Sequence, residues 1–138
     1  TIEGVSASES FAVIQNAEAP ATALGTSTLT VSNAGDYTFA GIIRDHASGA
    51  ASPLALAKED AGTFTLTGAD NTYSGTTAVK AGTLTLDNGS IGTGTATVEA
   101  GAILRGKGTM GGNLTVKSGG LLAPGLLAAG QNMAPSPI

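Results

Sequence analysis

The residues best placed for acid–base chemistry are Arg44-Asp45-His46, where a carboxylate beside the chain's one histidine could orient its imidazole as a general base. The tripeptide runs into Ala47-Ser48-Gly49-Ala50, a loop composition that leaves the ring in solvent, and no catalytic role is assigned to it. Serines are frequent, but none stands in the Gly-x-Ser-x-Gly setting of a nucleophile elbow. Zero cysteines remove thiolate nucleophiles, disulfides and Cys-ligated metals together. Glu59-Asp60, and Asp36 with Asp45, could offer oxygens to calcium, which takes about six to eight. The Gly-Asp nonapeptide of calcium-binding β-rolls is absent, however, and these acids read as surface groups. Gly106, Gly108, Gly111 and Gly112 imitate a phosphate loop without its Lys-Ser/Thr ending or its following helix, so they read as chain corners. Asn88-Gly89-Ser90 and Asn113-Leu114-Thr115 fit the glycosylation tripeptide and are assigned no modification. Arg105, Lys107 and Lys117 form a small basic group with no acidic partner expected in repeat register. The sequence therefore predicts no catalytic residue, no cofactor-binding residue, no metal ligand and no cofactor.

The elements that would position such groups come from a lean composition. The 138 residues carry six basic and ten acidic side chains, 4% aromatics and 21 glycines. Hydrophobic residues make up 41%, too many for wholesale disorder, and the length fits one domain. With a net charge of −4 there is no cationic field for a phosphate backbone, so no nucleic-acid partner is expected. No apolar run approaches the roughly 20 residues of a membrane span, so the chain is not itself membrane-spanning. The N-terminus lacks the basic start and apolar stretch of a signal peptide; if the protein was exported, that signal is expected to be gone already.

The most informative pattern is a repeat. Thr76-Thr77-Ala78-Val79-Lys80-Ala81-Gly82 returns as Thr95-Ala96-Thr97-Val98-Glu99-Ala100-Gly101 and again as Asn113-Leu114-Thr115-Val116-Lys117-Ser118-Gly119. Val79, Val98 and Val116 thus recur every 18 or 19 residues. A second apolar segment follows each glycine, at residues 83–86, 102–105 and 121–123, and Ala61-Gly62-Thr63-Phe64-Thr65-Leu66 supplies an earlier copy. Alternating Thr, Val, Leu and Phe bounded by glycine read as half-buried strands, and the glycine and threonine load disfavours helix. One turn of a flattened coil accommodates two or three such strands. Stacked turns would pair them in parallel about 4.8 Å apart and align the valines as an internal ladder. The fold class is therefore all-β, a parallel β-helix of about 18–20 residues per rung, with about three and a half rungs in residues 62–125. An antiparallel sandwich would not need the valine spacing. Placing Ile103 inward would bury Arg105, so Ala102 and Leu104 are expected inside, with a phase shift at the preceding turn. Residues 28–31, 37–43 and 54–58 read as further strands, 11–14 as a strand or an edge cover, and 44–53 as a polar loop. Asn71, Asn88 and Asn113 are too unevenly spaced for one ladder, while Tyr73 and Phe64 read as packing residues.

Gly62-Thr63-Phe64-Thr65-Leu66-Thr67-Gly68-Ala69-Asp70-Asn71-Thr72-Tyr73-Ser74-Gly75-Thr76-Thr77-Ala78-Val79-Lys80-Ala81-Gly82-Thr83-Leu84 closely resembles the autotransporter passenger-associated β-strand repeat, which runs G-T-L-x-L-T-G-x-N-T-Y-x-G-x-T-x-V-x-x-G-T-L. Residues 37–45, and 106–125 through Ala123-Pro124-Gly125, resemble its usual flanks, so the likeness covers about residues 28–125. The pattern often has an extra glycine before the threonine pair, whereas here Gly75 leads directly into Thr76, and a tighter turn is expected. The resemblance implies a right-handed β-helical stem of a passenger that is secreted or displayed by a Gram-negative bacterium. The rest of the same autotransporter chain, further rungs and a translocating barrel, would be its partner. Within that frame residues 1–27 are an irregular edge, 28–125 the β-helix with its repeat core at 62–125, and 126–138 a tail of a fragment. The function expected is a structural stem, with an adhesive or self-associating surface toward other cells or a host surface as the alternative. A polysaccharide-acting β-helix enzyme is the weakest reading, since no cluster of acids accompanies the basic group.

Overall fold

The computed structural model describes residues 12–16, 25–45 and 52–125. Among them there is no helix; twelve strands carry the fold. They are β1 Val13–Gln15, β2 Ser27–Ser32, β3 Tyr37–Phe39, β4 Ile42–Arg44, β5 Leu54–Glu59, β6 Thr63–Leu66, β7 Thr77–Val79, β8 Thr83–Ile91, β9 Ala96–Val98, β10 Ile103–Met110, β11 Leu114–Val116 and β12 Leu121–Pro124. Two five-stranded sheets run in the orders β11-β9-β7-β5-β2 and β12-β10-β8-β6-β3, and every strand pair in them is parallel. Neighbours within a sheet are never consecutive in sequence, so the chain visits one sheet, then the other, and returns one level further along. That is the parallel β-helix that the valine spacing predicts. Five levels at about 4.8 Å give a stack of roughly 19 Å.

A third side completes each turn. Parallel β1 and β4 open it, and the following levels are made by residues 71–73 and by the ends of β8 and β10. Thr72 N–H donates to Ile43 O and Thr93 N–H to Tyr73 O, both at 3.0 Å, so the side stays bonded where it is not regular strand. Side chains from all three sides fill the axis: Val31, Leu56, Val79 and Val98; Phe39, Phe64, Leu84 and Leu104; Ile43, Tyr73 and Ile91. Because each contributes only one or two aliphatics per turn, a chain with few aromatics suffices.

The register keeps the predicted ladder, with Val79 opposite Val98 and Val98 opposite Val116. Leu104 lies opposite Leu84, and Ala102 and Leu104 are buried while Ile103 and Arg105 are half-exposed. The expected phase shift is therefore present: valine to valine advances 19 residues, but Leu84 to Leu104 advances 20, the extra residue falling in the turn between them. A compensating bulge between Lys107 and Thr109 restores the count, helped on the neighbouring strand by Asn88, whose φ of 57° is one that asparagine tolerates better than most side chains.

One expectation changes, and one open choice is decided. Residues 37–43 are two strands on different sides, because the chain turns at Ala40-Gly41; a Cβ at Gly41 would overlap the Ala12 carbonyl oxygen, so the corner requires glycine. The patch at 11–14 contributes a strand at Val13–Gln15, paired with β4. Residues 1–11 and 17–24 of the irregular edge, residues 46–51 of the polar loop with His46, and the tail at 126–138 lie outside the described residues.

Candidate functional site

The residue after each ladder position turns the corner between the two large sheets, and its side chain faces solvent. In successive turns these residues are Ser32, Glu59, Lys80, Glu99 and Lys117, one column of alternating charge along the axis. Lys80 Nζ lies 3.0 Å from Glu59 Oε1 and Lys117 Nζ 2.9 Å from Glu99 Oε1. Lys107 is in register with Asp87 on the next corner. The expectation that Arg105, Lys107 and Lys117 lack acidic partners is thereby corrected: the parallel register brings an acid level with two of them. Arg105 instead lies against the outer face, its Nε donating to Thr85 Oγ1 at 3.1 Å.

One ladder position breaks the aliphatic rule. Lys58 stands opposite Val31 on one side and Val79 on the other, with no exposed surface. Its ammonium donates to the carbonyls of Glu59 at 2.6 Å, Asp60 at 2.7 Å and, in the next turn, Ala81 at 3.4 Å, one acceptor for each proton. Burial pushes its pKa below the usual lysine value, and the nearby Asp60 charge opposes that shift. Asp60 itself has a φ of 60°, and its carboxylate accepts from Ser32 Oγ.

Asp45, weighed as the partner of His46 or as a calcium ligand, is a clamp. Its carboxylate accepts from Leu54 N–H at 2.7 Å, from Ser74 N–H at 3.1 Å and from Ser74 Oγ at 2.6 Å, tying Asp45 to both Leu54 and Ser74. Partial burial raises its pKa, but these hydrogen bonds outweigh burial and hold it below the ordinary carboxylate value. Among the described residues no group of three or more His, Asp or Glu side chains converges on a point where a metal could sit.

The third side uses side chains where strand is lacking. Asn71 accepts from Ile43 N–H at 2.7 Å through Oδ1, and its Nδ2 donates to Gly68 O at 3.2 Å and Ser90 O at 2.7 Å. Ser90, one turn later, accepts from Asn71 N–H at 3.0 Å. Tyr73 is fully buried with its hydroxyl 2.6 Å from Thr77 Oγ1, and Phe64 is in the core, so both pack. Burial raises the tyrosine pKa, with the Thr77 and Gly92 hydrogen bonds opposing. Gly106 and Gly108 lie within β10, whereas Gly111 and Gly112 occupy the bend after it. On the outer face of the second sheet Thr38, Thr65 and Thr85 form one register column, in which Thr85 is itself buried and bonded to Arg105, and Thr63 and Thr83 pair beside it.

Residues 56–86, from the ladder strand β5 through most of the next turn, match the family model of the passenger-associated-transport-repeat. This match supports reading the stretch as an autotransporter passenger repeat. No curated protein and no solved structure gave a match. The matched repeat contains every structural device just described for the second turn: Lys58, the Glu59–Lys80 pair, Asn71 and Tyr73.

Proposed function

We propose that this chain is a structural stem segment of a secreted or surface-displayed passenger of a Gram-negative bacterium, which supports folding of that passenger and presents regions carried elsewhere in it. The observation that carries the reading is the coincidence of the repeat at 56–86 with two five-stranded parallel sheets stacked turn on turn. A stem must transmit order from turn to turn, and in a solenoid stability is approximately a sum of turn and interface contributions. The reading includes no catalytic step. It is supported by the way charges are used: corner charges meet opposite charges of neighbouring turns, and Asp45 is occupied in bonding Leu54 and Ser74. The remainder of the autotransporter, further rungs and a translocating barrel, is the partner this function requires.

An adhesive or self-associating surface is the second reading, favoured by the threonine columns on the outer face of the second sheet. Repeated hydroxyls at fixed spacing offer many weak polar contacts. A cell-aggregation assay with Thr63, Thr65 and Thr83 replaced by lysine addresses it; unchanged aggregation counts against that surface.

The stem reading is tested by displaying a passenger that contains residues 1–138, with Val98→Asp or Thr97→Asp, and measuring protease-resistant passenger at the cell surface. Val98 is buried and Thr97 faces outward, so the first should remove most of the resistant passenger and the second little of it. Equal yields from the two would contradict a stem function.

A further inference from the structure

Asn88 and Gly89 stand outside both ladders that hold the rest of β8. On one side β6 ends with Leu66 opposite Leu86; on the other the register passes from Asp87 with Lys107 directly to Ser90 with Thr109. Asn88 is exposed, and its carboxamide has no hydrogen-bond partner among the described residues. Asn33 and Asn71, by contrast, are buried with their amide nitrogens bonded to carbonyls. Two demands of the turn bring this pair together. The φ of 57° at position 88 suits Asn, which enters the left-handed region more readily than most side chains. A Cβ at position 89 would overlap the Leu66 carbonyl oxygen, so that position requires glycine. The fold thereby sets a free carboxamide beside the peptide nitrogen that has the least steric cover, that of a glycine.

We propose that Asn88-Gly89 is a self-modification site, at which the side-chain amide becomes a carboxylate without an enzyme and with water as the co-reactant. The Gly89 peptide nitrogen attacks Asn88 Cγ; the Cγ–Nδ2 bond breaks, and ammonia leaves with the proton that the attacking nitrogen gives up. The cyclic imide so formed joins that nitrogen to both carbonyl carbons of residue 88. Water then opens it at either carbon. Cleavage at Cγ yields aspartate, and cleavage at the backbone carbon yields isoaspartate, in which the chain runs through the former side chain. Each product adds a negative charge beside Asp87, whose register partner is Lys107. Isoaspartate also lengthens the main chain by a methylene, at the place where the register already absorbs an unpaired residue. Asn113 is the internal comparison. It too is exposed, with no hydrogen-bond partner for its carboxamide among the described residues, but the branched Leu114 follows it and is paired with Ala96 in the sheet.

The test ages the folded 138-residue chain in mildly alkaline buffer, where the peptide nitrogen gives up its proton more readily, and reads tryptic peptides by mass spectrometry against a fresh sample. Residues 81–105 and 108–117 carry the two asparagines on separate peptides. Position 88 should gain the mass of an amide-to-acid exchange about tenfold or more faster than position 113, a barrier difference of about 1.4 kcal/mol. Part of the product should accept a methyl group from a protein isoaspartate methyltransferase. Asn88→Gly puts a residue suited to a φ of 57° at the same turn, so it should leave the circular dichroism unchanged and abolish both signals. Equal rates at positions 88 and 113, or signals that persist undiminished in Asn88→Gly, would overturn the proposal. So would a folded chain that stays unmodified while the isolated 81–105 peptide reacts, because the fold would then protect the pair.

Discussion

Truncating the three ladder valines one at a time should give unequal losses of stability, because the same chemical change is made at three depths of one column. Val→Ala removes two methyl groups, about 1.6 kcal/mol of transfer free energy at roughly 0.8 kcal/mol per methylene. At Val79 and Val98 the side chain has no exposed surface and a neighbour on each side of the ladder, so a cavity is added and the loss should reach about 2–3 kcal/mol. Val116 is 38% exposed and has a ladder neighbour only at Val98, so the outer part of the hole opens to water and the loss should be about 1 kcal/mol or less. Equilibrium urea unfolding followed by far-ultraviolet circular dichroism measures all three against the unsubstituted chain, with the midpoint read at constant slope. A slope that falls only in Val116→Ala would mark the last turn unravelling before the rest, as a quasi-one-dimensional stack permits. Val116→Ala costing as much as Val98→Ala would refute the reasoning, because it would place the third valine in the interior.

The acid limb of the stability curve should carry the signature of Asp45. Its folded pKa is below the ordinary aspartate value of 3.8, so its contribution is fully present above that value and is lost as pH falls through the folded one; Asp45→Asn should flatten that part of a pH series of urea midpoints and cost about 1–2 kcal/mol at neutral pH. Lys58 has linkage of the same sign in a window at higher pH: its folded pKa is lowered too, so between that value and 10.5 the unfolded chain holds a proton that the folded chain has released. Stability relative to Lys58→Met should therefore rise with pH across that window, and a falling difference would show that the ammonium is not desolvated. Gly92→Ala should destabilise by about 1–3 kcal/mol in thermal unfolding, since a Cβ there would overlap the Tyr73 carbonyl oxygen of the preceding turn, whereas Gly101→Ala meets no neighbouring atom and suffers only the strain of its φ of 81°.

Much of this fold was legible because a stacked coil repeats its packing problem every turn. The valine spacing carried the ladder, and the cost of burying Arg105 was enough to place Leu104 inside and to require an extra turn residue. Lys58 escaped because lysine in a strand reads as a surface residue. It stands 21 residues before Val79, longer than the 18–20-residue turn, so counting back one turn from the repeat lands on residues 59–61 and misses it. The ion pairs escaped for a related reason. Each corner charge read alone is a solvated group, and only the column Glu59, Lys80, Glu99, Lys117 shows the alternation. The break of residues 37–43 depended on Gly41 approaching Ala12, a contact between segments with no repeat to announce it. Asn71 was judged against other asparagines, but its partner one turn on is Ser90, a residue of different type that performs the matching half of the hydrogen bonding.

The parallel stacking in register is tested most directly by cysteine pairs, since the chain has no cysteine of its own. Thr97 and Thr115 are register partners on adjacent turns, which puts their Cα atoms about 4.8 Å apart, within disulfide reach. Thr97 and Asn113 differ from that pair by two residues along the strand, which moves the second Cα to roughly 8 Å, beyond it. Under mild oxidation the Thr97→Cys/Thr115→Cys chain should form an intramolecular disulfide nearly completely and the Thr97→Cys/Asn113→Cys chain should not. Equal cross-linking of the two, or cross-linking of the second alone, would contradict the stacked β-helix.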